Sequence, residues 1–340
     1  MTCPPPSPGL SNLVLPTTVS VVIPVRDGAG NLPDAVRSVL AQKGPNIGAL
    51  DVILAVGPSS DNTEAVATQL AEDGRVRTVR NPSGTTPRAL NAAIEASSGA
   101  VVVRCDAQSV LPPGYVDRAV GILAETGAAN VGGMQIPAGL EGFAVAVACA
   151  MRSPVGAGGA AYRQGGPPGP VDTVYLGVFR REALTIAGGF DPVLERNQDF
   201  ELNHRLRQHG WDVWFDPELR VEYRPRDSLG ALARQYHDYG RWKRFVLQRD
   251  SSSLQARQLA PPVLVIALAS SLLLAVVGPI GGWELSLLPL LLLLGAWSTA
   301  LLIGAARATA VRRDVLRVAC ALGTMHLAWG LGFLRGGAGP

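Results

Sequence analysis

The 340-residue chain is poor in cysteine, in charge and in aromatic side chains. Its four cysteines, Cys3, Cys105, Cys149 and Cys320, share no metal-ligand spacing and lie in unlike surroundings. That argues against a zinc site and a disulfide framework, and favours a reducing compartment. Only 17 % of the residues are charged and the formal net charge is +3. A net charge this small gives no argument for nucleic acid, which is not expected as a partner. No GxGxxG or GxxxxGKS/T follows any strand-like run, so dinucleotide and P-loop sites of the usual design are excluded too. The start, MTCPPPSPGLSNLVLP, lacks a basic n-region and a long apolar h-region, and reads as a disordered lead-in over 1–17 rather than a signal peptide.

What is abundant is aliphatic: 47 % of the chain is hydrophobic, unevenly spread. Nearly all the acids fall within 1–250, while 259–334 is mostly Leu, Ala, Val and Gly. Leu259–Ile280 and Leu285–Ala306 are uncharged runs of 22 residues each, matching the roughly 20 that cross a hydrocarbon core. Val318–Leu334, 17 residues including His326, is expected as a third transmembrane helix. The connector between the last two carries Arg307, Arg312, Arg313 and Arg317, whereas the preceding one carries only Glu284. By the positive-inside rule the arginine loop and the N-terminal domain share the cytoplasmic side of the inner membrane, with two crossings between them. The stretch SLGALARQYHDYGRWKRFVLQRD, 228–250, mixes Leu, Tyr, Trp and Phe with basic residues. It suits an amphipathic helix in contact with membrane lipid, or alternatively a last helix of the soluble domain.

Ahead of this lies an α/β pattern. TVSVVIPV precedes NLPDAVRSVLAQ, LDVILAV precedes DNTEAVATQLAED, VRTVR precedes TPRALNAAIEAS, and AVVVRC precedes PPGYVDRAVGILAETG. Short apolar strands alternating with amphipathic helices predict a mostly parallel sheet flanked by helices. Ligands of such sheets bind beyond the carboxyl ends of the strands. Polar residues gather there: Arg26 and Asp27, Ser59 to Asp61, Arg88, and Arg104 to Ser109.

Asp106 ends the fourth strand, where a carboxylate either ligates a hard cation such as Mg²⁺ or Mn²⁺ against a diphosphate or serves a turn. Asp61 has Glu64 three residues on and also reads as an N-cap. Asp199 and Glu201 open a helix, where the dipole favours acids without any function. Arg88 and Arg104 suit phosphate or ordinary ion pairs. His204, His209 and His237 read as surface or interface residues, and Cys105 as a buried strand residue. The Gly-rich segment 152–170 reads as a mobile loop.

In order, VSVVIPVRDGAGNLPDAVRSVLAQ, SSDNT, RALNAAIEASSGAVVVRCDAQS and GGFDPVLERNQDFELNHRLRQHG resemble family-two glycosyltransferases of the GT-A fold. RCDAQS, VDTVYLGVFRRE, RNQDFELNHRL and QYHDYGRWK resemble membrane-attached enzymes of succinoglycan-type exopolysaccharide assembly. The resemblance implies a GT-A domain over 18–227, an interfacial helix over 228–250 and three transmembrane helices within 259–334. It implies an inverting, metal-dependent transferase of the cell envelope that moves sugar from a nucleotide-sugar donor to a lipid-linked or growing glycan acceptor. A polyprenyl-phosphate glycosyltransferase and an inactive scaffold stand as alternatives, and a homo-oligomer or a glycan-assembly complex stays open. By position, Pro24, Arg26, Asp27 and Asp61 line the nucleotide pocket, with Arg88 and Asn91 near the ribose and diphosphate. Arg104 supports the diphosphate, Asp106 holds the metal and Gln108 stands where the family's DxD motif has its second acid. Asp199 matches the catalytic base. Glu201, Arg205, Gln235, Arg241 and Trp242 fall on the acceptor side. Gly57 and Pro58 occupy the end of the second strand, where relatives commonly have an acid.

Overall fold

The β-branched runs form strands and the amphipathic runs form helices, in the order the periodicity predicts. The computed structural model describes residues 10–139 and 141–336. Most of the expected lead-in, with Cys3, lies outside the described residues, and Thr17 already opens the first strand. The strands are β1 (Thr17–Val25), β2 (Ile47–Val56), β3 (Val76–Arg80), β4 (Val101–Arg104), β5 (Asn130–Pro137), β6 (Gly169–Pro170), β7 (Tyr175–Arg180) and β8 (Val213–Tyr223). They form one eight-stranded sheet in the order β3-β2-β1-β4-β7-β5-β8-β6.

Parallel pairing, expected through most of the sheet, joins β1 to β2, β1 to β4 and β2 to β3. β7 runs antiparallel between β4 and β5, and β6 pairs antiparallel with β8. Close approach of backbones makes this half possible. A Cβ on Gly132 would lie 2.8 Å from the Tyr175 carbonyl oxygen, and one on Gly133 would lie 1.8 Å from that of Leu219. The ladder shifts register there, between Val131 and Gly133.

Helices α1 (Leu32–Leu40), α2 (Thr63–Leu70), α3 (Thr86–Glu95) and α4 (Tyr115–Thr126) follow the first four strands. Leu32, Val36 and Val39 of α1 and Val116, Val120 and Leu123 of α4 are fully buried against Val21, Ile23, Leu54 and Val103. Each such side chain contributes about 1.5–3 kcal/mol by leaving water.

The chain divides into two compact units, 1–136 with 165–223, and 137–164 with 224–340. The excursion between β5 and β6 thus belongs with the C-terminal part. It forms α5 (Gly142–Arg152), α6 (Pro154–Ala157) and α7 (Ala161–Gln164). The segment read as a mobile loop is therefore mostly helical up to Gln164, with Ser153 capping α6 through its side chain. The first unit continues with α8 (Arg181–Ala187) and α9 (Gln198–Gln208). The second unit adds α10 (Leu229–Arg249), α11 (Ala260–Val277), α12 (Leu288–Ala308) and α13 (Val315–Arg335). Among the described residues three helices, over Ala256–Val277, Leu288–Ala308 and Arg312–Arg335, are long and apolar enough to cross a membrane. The amphipathic helix forms as α10, its apolar side chains Leu232, Tyr236, Trp242 and Val246 buried. It packs on α13 at two glycines. A Cβ on Gly240 would meet the Trp329 carbonyl oxygen at 2.1 Å, and one on Gly332 that of His237 at 2.0 Å.

Candidate active site

Parallel pairing of β2, β1 and β4 sets their carboxyl ends side by side. Past β1 the chain turns through Asp27, whose φ of 50° is left-handed. The Asp27 carboxylate accepts from the backbone and hydroxyl of Ser60, at 2.6 and 2.9 Å, and its own N–H donates to Ser59 Oγ at 3.1 Å. In return Asp61 accepts from the Ala29 N–H at 3.0 Å, and Thr63 Oγ1 accepts from the Gly28 N–H at 2.9 Å. Asp61 also accepts from its neighbour Thr63, so the N-cap position falls to Asn62, without a side-chain cap bond. Asp61 is thus a tie between two loops rather than half of a capping box. The Ser60 bonds hold Asp27, and the Thr63 hydroxyl holds Asp61, below the usual carboxylate range. Pro24 is half-buried beneath this loop pair, and Arg26 is exposed with Nε 3.6 Å from the Asp27 carboxylate. At Gly57 a Cβ would lie 3.3 Å from Gly84 Cα, so a larger side chain there presses on the neighbouring turn.

The centre of the site is Arg104, the last residue of β4. Its Nε and Nη2 donate to Asp106 Oδ1 at 3.0 and 2.9 Å, and its Nη1 donates to Asp199 in the first turn of α9. Side-chain exposure is 8 % for Arg104, 23 % for Asp106 and 39 % for Asp199. Desolvation of Arg104 works against its charge, and the two carboxylates more than restore it, raising its pKa. Although its side chain keeps an open edge, Asp199 is raised above the usual carboxylate range, by burial first and by repulsion from Asp106, against the pull of Arg104.

Tyr175, opening β7, joins this centre unforeseen: burial and then the Asp106 charge push its hydroxyl well up, while Ser109 works the other way. The signal that points to it is the surrounding motif, VDTVYLGVFRRE. Cys105 is buried and its thiol pushed up by burial, as expected of a strand residue rather than a nucleophile. Gln108 is exposed, two residues past Asp106, and Arg88 is exposed on the first turn of α3.

Three residues expected at the ligand also make internal ties. Asn91 donates to the Phe190 carbonyl at 2.7 Å and accepts from its N–H at 2.9 Å, which fixes the Gly188–Gly189 turn against α3. Glu201 pairs with Arg205 at 2.5 and 2.8 Å along α9, and Arg205 also donates to the carbonyls of Ala187 and Gly189, the latter at 2.7 Å. These side chains pin α9 to the end of α8. In the second unit, Trp242 is only 5 % exposed and meets Phe245 edge-on at 5.5 Å. Arg241 stacks over Trp242 at 5.8 Å, and Gln235 donates to the Tyr239 hydroxyl at 3.0 Å. Trp242 is thus packed among the side chains of its own unit. His204, expected at the surface or an interface, is buried on α9.

Among the described residues no cluster of three or more His, Cys, Asp or Glu forms a ready-made metal cage. Asp106 offers one carboxylate, with the neutral amide of Gln108 beside it in sequence. Such a set fits a hard divalent cation whose shell is completed by phosphate oxygens, and no tighter arrangement.

Residues 20–185 match the family model described as Glycosyl transferase family 2. Over 328 residues, 94 % of this chain and 94 % of the relative, the sequence is 32 % identical to the succinoglycan biosynthesis protein ExoA of Rhizobium meliloti (strain 1021). The fold is similar to that of the mannosyltransferase PcManGT from Pyrobaculum calidifontis, solved in complex with GDP-Man and Mn²⁺. The TM-score is 0.60 at 17 % identity, over 97 % of this chain and 91 % of that one.

Proposed function

The chain belongs to glycosyl transferase family 2, and from that premise we propose that it transfers a sugar, with inversion, from a nucleoside-diphosphate donor to a hydroxyl of a lipid-linked or growing glycan. The succinoglycan role of its relative supports an exopolysaccharide as the product. The GDP-Man and Mn²⁺ of the structural neighbour support a nucleotide sugar and a divalent cation. The catalytic unit faces the cytoplasm, a reading supported by the arginine loop Arg307–Arg317. Residues 18–227 are the catalytic domain, 228–250 the interfacial helix and 259–334 the membrane region.

The observation that carries this reading is the bridge Asp106–Arg104–Asp199, which brings a strand-end carboxylate and a helix-start carboxylate to one guanidinium. Asp106, with Gln108, holds Mg²⁺ or Mn²⁺, which when bound neutralises charge on the departing diphosphate. Arg88 supplies further positive charge, and Arg104 holds the two carboxylates in place. The interlocked loops of Asp27 and Asp61, with Pro24 and Arg26, hold the nucleoside. Asp199 accepts the proton of the acceptor hydroxyl as its oxygen attacks the anomeric carbon opposite the diphosphate, and its raised pKa makes it a stronger base than an ordinary aspartate. A single displacement from that face inverts the carbon.

The test is transfer by the full-length protein in detergent, with a panel of nucleotide sugars, Mn²⁺ and a lipid extract as acceptor. Asp199→Asn is expected to lose on the order of 100-fold or more in rate while still binding donor. Asp106→Ala is expected to lose Mn²⁺-dependent donor binding. Wild-type rates in Asp199→Asn would remove it as base and point to a phosphate acceptor, which needs little help in losing a proton.

A further inference from the structure

The second unit holds a cation that the reaction above does not use. Arg163, in α7, has its Nε buried with no hydrogen-bond partner among the described residues. No carboxylate of a described residue stands within ion-pair distance of it. Its company is aromatic: Nη1 donates to the Tyr236 hydroxyl at 3.1 Å, the guanidinium lies 5.3 Å from the centre of the Tyr162 ring, and Tyr239 is near enough to interact with the charge. The rings of Tyr236 and Tyr239 meet edge-on at 5.6 Å, and Gln235 fixes the Tyr239 hydroxyl. A buried N–H without an acceptor is costly, and this guanidinium keeps that donor in hand.

We propose that Arg163, with Tyr162, Tyr236 and Tyr239, binds the phosphate of a lipid carrier. Phosphate suits the guanidinium, whose planar fork donates to two oxygens at once, and tyrosine hydroxyls rotate to donate to a third. The depth is that of a headgroup. A Cβ on Gly158, five residues before Arg163, would lie 3.9 Å from Arg257 Cδ, and Arg257 stands three residues ahead of Ala260, where α11 begins. A second cation therefore sits by the same short segment, at the foot of a helix long and apolar enough to cross the bilayer. This inference deepens the lipid-linked acceptor proposed above and rests on that reading.

Calorimetry on the full-length protein in detergent tests it, with EDTA present to silence cation-dependent binding at Asp106 and empty micelles as blank. The probes are farnesyl diphosphate and inorganic pyrophosphate. Farnesyl diphosphate is expected to bind, pyrophosphate about tenfold or more weaker, and Arg163→Gln to weaken farnesyl diphosphate by about tenfold, with Arg163→Lys between. Cooperative melting checks that each variant folds. If Arg163→Gln does not fold, Tyr236→Phe replaces it, with a loss of about threefold expected. Undiminished affinity in a folded variant overturns the site but leaves the lipid-linked acceptor standing. No binding by the wild type overturns both, and equal affinity for pyrophosphate overturns the lipid as its source.

Independent contacts bear on α13. We infer that α13 lies along the membrane surface rather than across it. α11 and α12 are consecutive and joined by a tight turn in which Gly278 abuts Ser286, so Pro261 at the start of α11 and Gly304 near the end of α12 share one side. α13 touches that side over much of its length, with Leu322 near Gly304, Gly330 against Pro261 and Val265, and Phe333 against Gly240 of the charged helix α10, while Gly323 and His326 reach Leu301 and Trp297, one and two turns further into α12. Only the stretch Val315–Ala321 remains, and at 1.5 Å per residue it rises about 10 Å, a third of the roughly 30 Å hydrocarbon core.

Cysteines placed singly at Gly336, Thr309 and Glu284 in a Cys3→Ser, Cys320→Ser background, with Cys105 and Cys149 buried, labelled with an impermeant maleimide in whole cells and inverted vesicles, decide the matter. Gly336→Cys is expected to label with Thr309→Cys and opposite to Glu284→Cys. Labelling with Glu284→Cys would restore a third crossing.

Discussion

The Asp199 carboxylate is held by the Arg104 guanidinium, 95 residues away in the chain. No local periodicity could have paired them. The sheet does so, by ending β4 beneath the first turn of α9, and the pairing has measurable effects on stability and on rate.

Arg104 is nearly buried and serves two carboxylates, so Arg104→Met should destabilise the fold by about 3 kcal/mol, the low end for a broken buried pair because Asp199 is 39 % exposed. Urea unfolding of the first unit's signal checks this. A variant as stable as the wild type would mean that the bridge is only a surface contact.

Asp199 has a raised pKa, so its protonated form is favoured in the folded state. The stability this gives is present below the unfolded pKa and is lost as pH rises through the folded one. Activity runs the other way, because the base works ionised. The rate should therefore fall through a one-proton acid limb above the ordinary aspartate range, and Asp199→Asn should lack that limb. A profile flat down to about pH 4, the ordinary aspartate value, would place the base elsewhere.

Asp106 is the sole carboxylate of its motif, so chelation by EDTA should silence transfer and Mn²⁺ should restore it. Gln108→Asp adds a charge beside it and is expected to tighten Mn²⁺ binding without donor on the order of tenfold. Calorimetry reads the difference, and unchanged affinity counts against a metal at this strand end.

Arg205 ties Glu201 to the carbonyls of Ala187 and Gly189. Arg205→Ala should then lower stability by about 2 kcal/mol and leave the acceptor KM nearly unmoved once the variant is folded. A raised KM with full stability would return Arg205 to the acceptor side.

Gly133 faces the Leu219 carbonyl, where an added Cβ would lie at 1.8 Å. Backbone on both sides cannot give way, so Gly133→Ala should cost about 3 kcal/mol or more. Thermal melting, or failure to recover folded protein, is the readout.

The first four strands and their helices are legible in the sequence because each buries one apolar face and so carries its period there. The antiparallel half is not, because Gly132 and Gly133 in β5 break the apolar run for reasons of backbone approach. At the site, Asp106 and Asp199 are legible by position in a motif. Asn91, Glu201 and Arg205 read as ligand contacts, since a polar side chain beside a site looks the same in sequence whether it faces a ligand or a neighbouring carbonyl. Tyr175 escapes notice for the opposite reason: an aromatic at a strand start reads as core.

Two carboxylates and one guanidinium leave the Arg104 centre with one net negative charge when both acids are ionised. A free donor diphosphate, itself an anion, is repelled by it, whereas a divalent cation is drawn in. Substrate should accordingly enter as its cation complex or after the cation, and steady-state kinetics should show compulsory order in those two reactants.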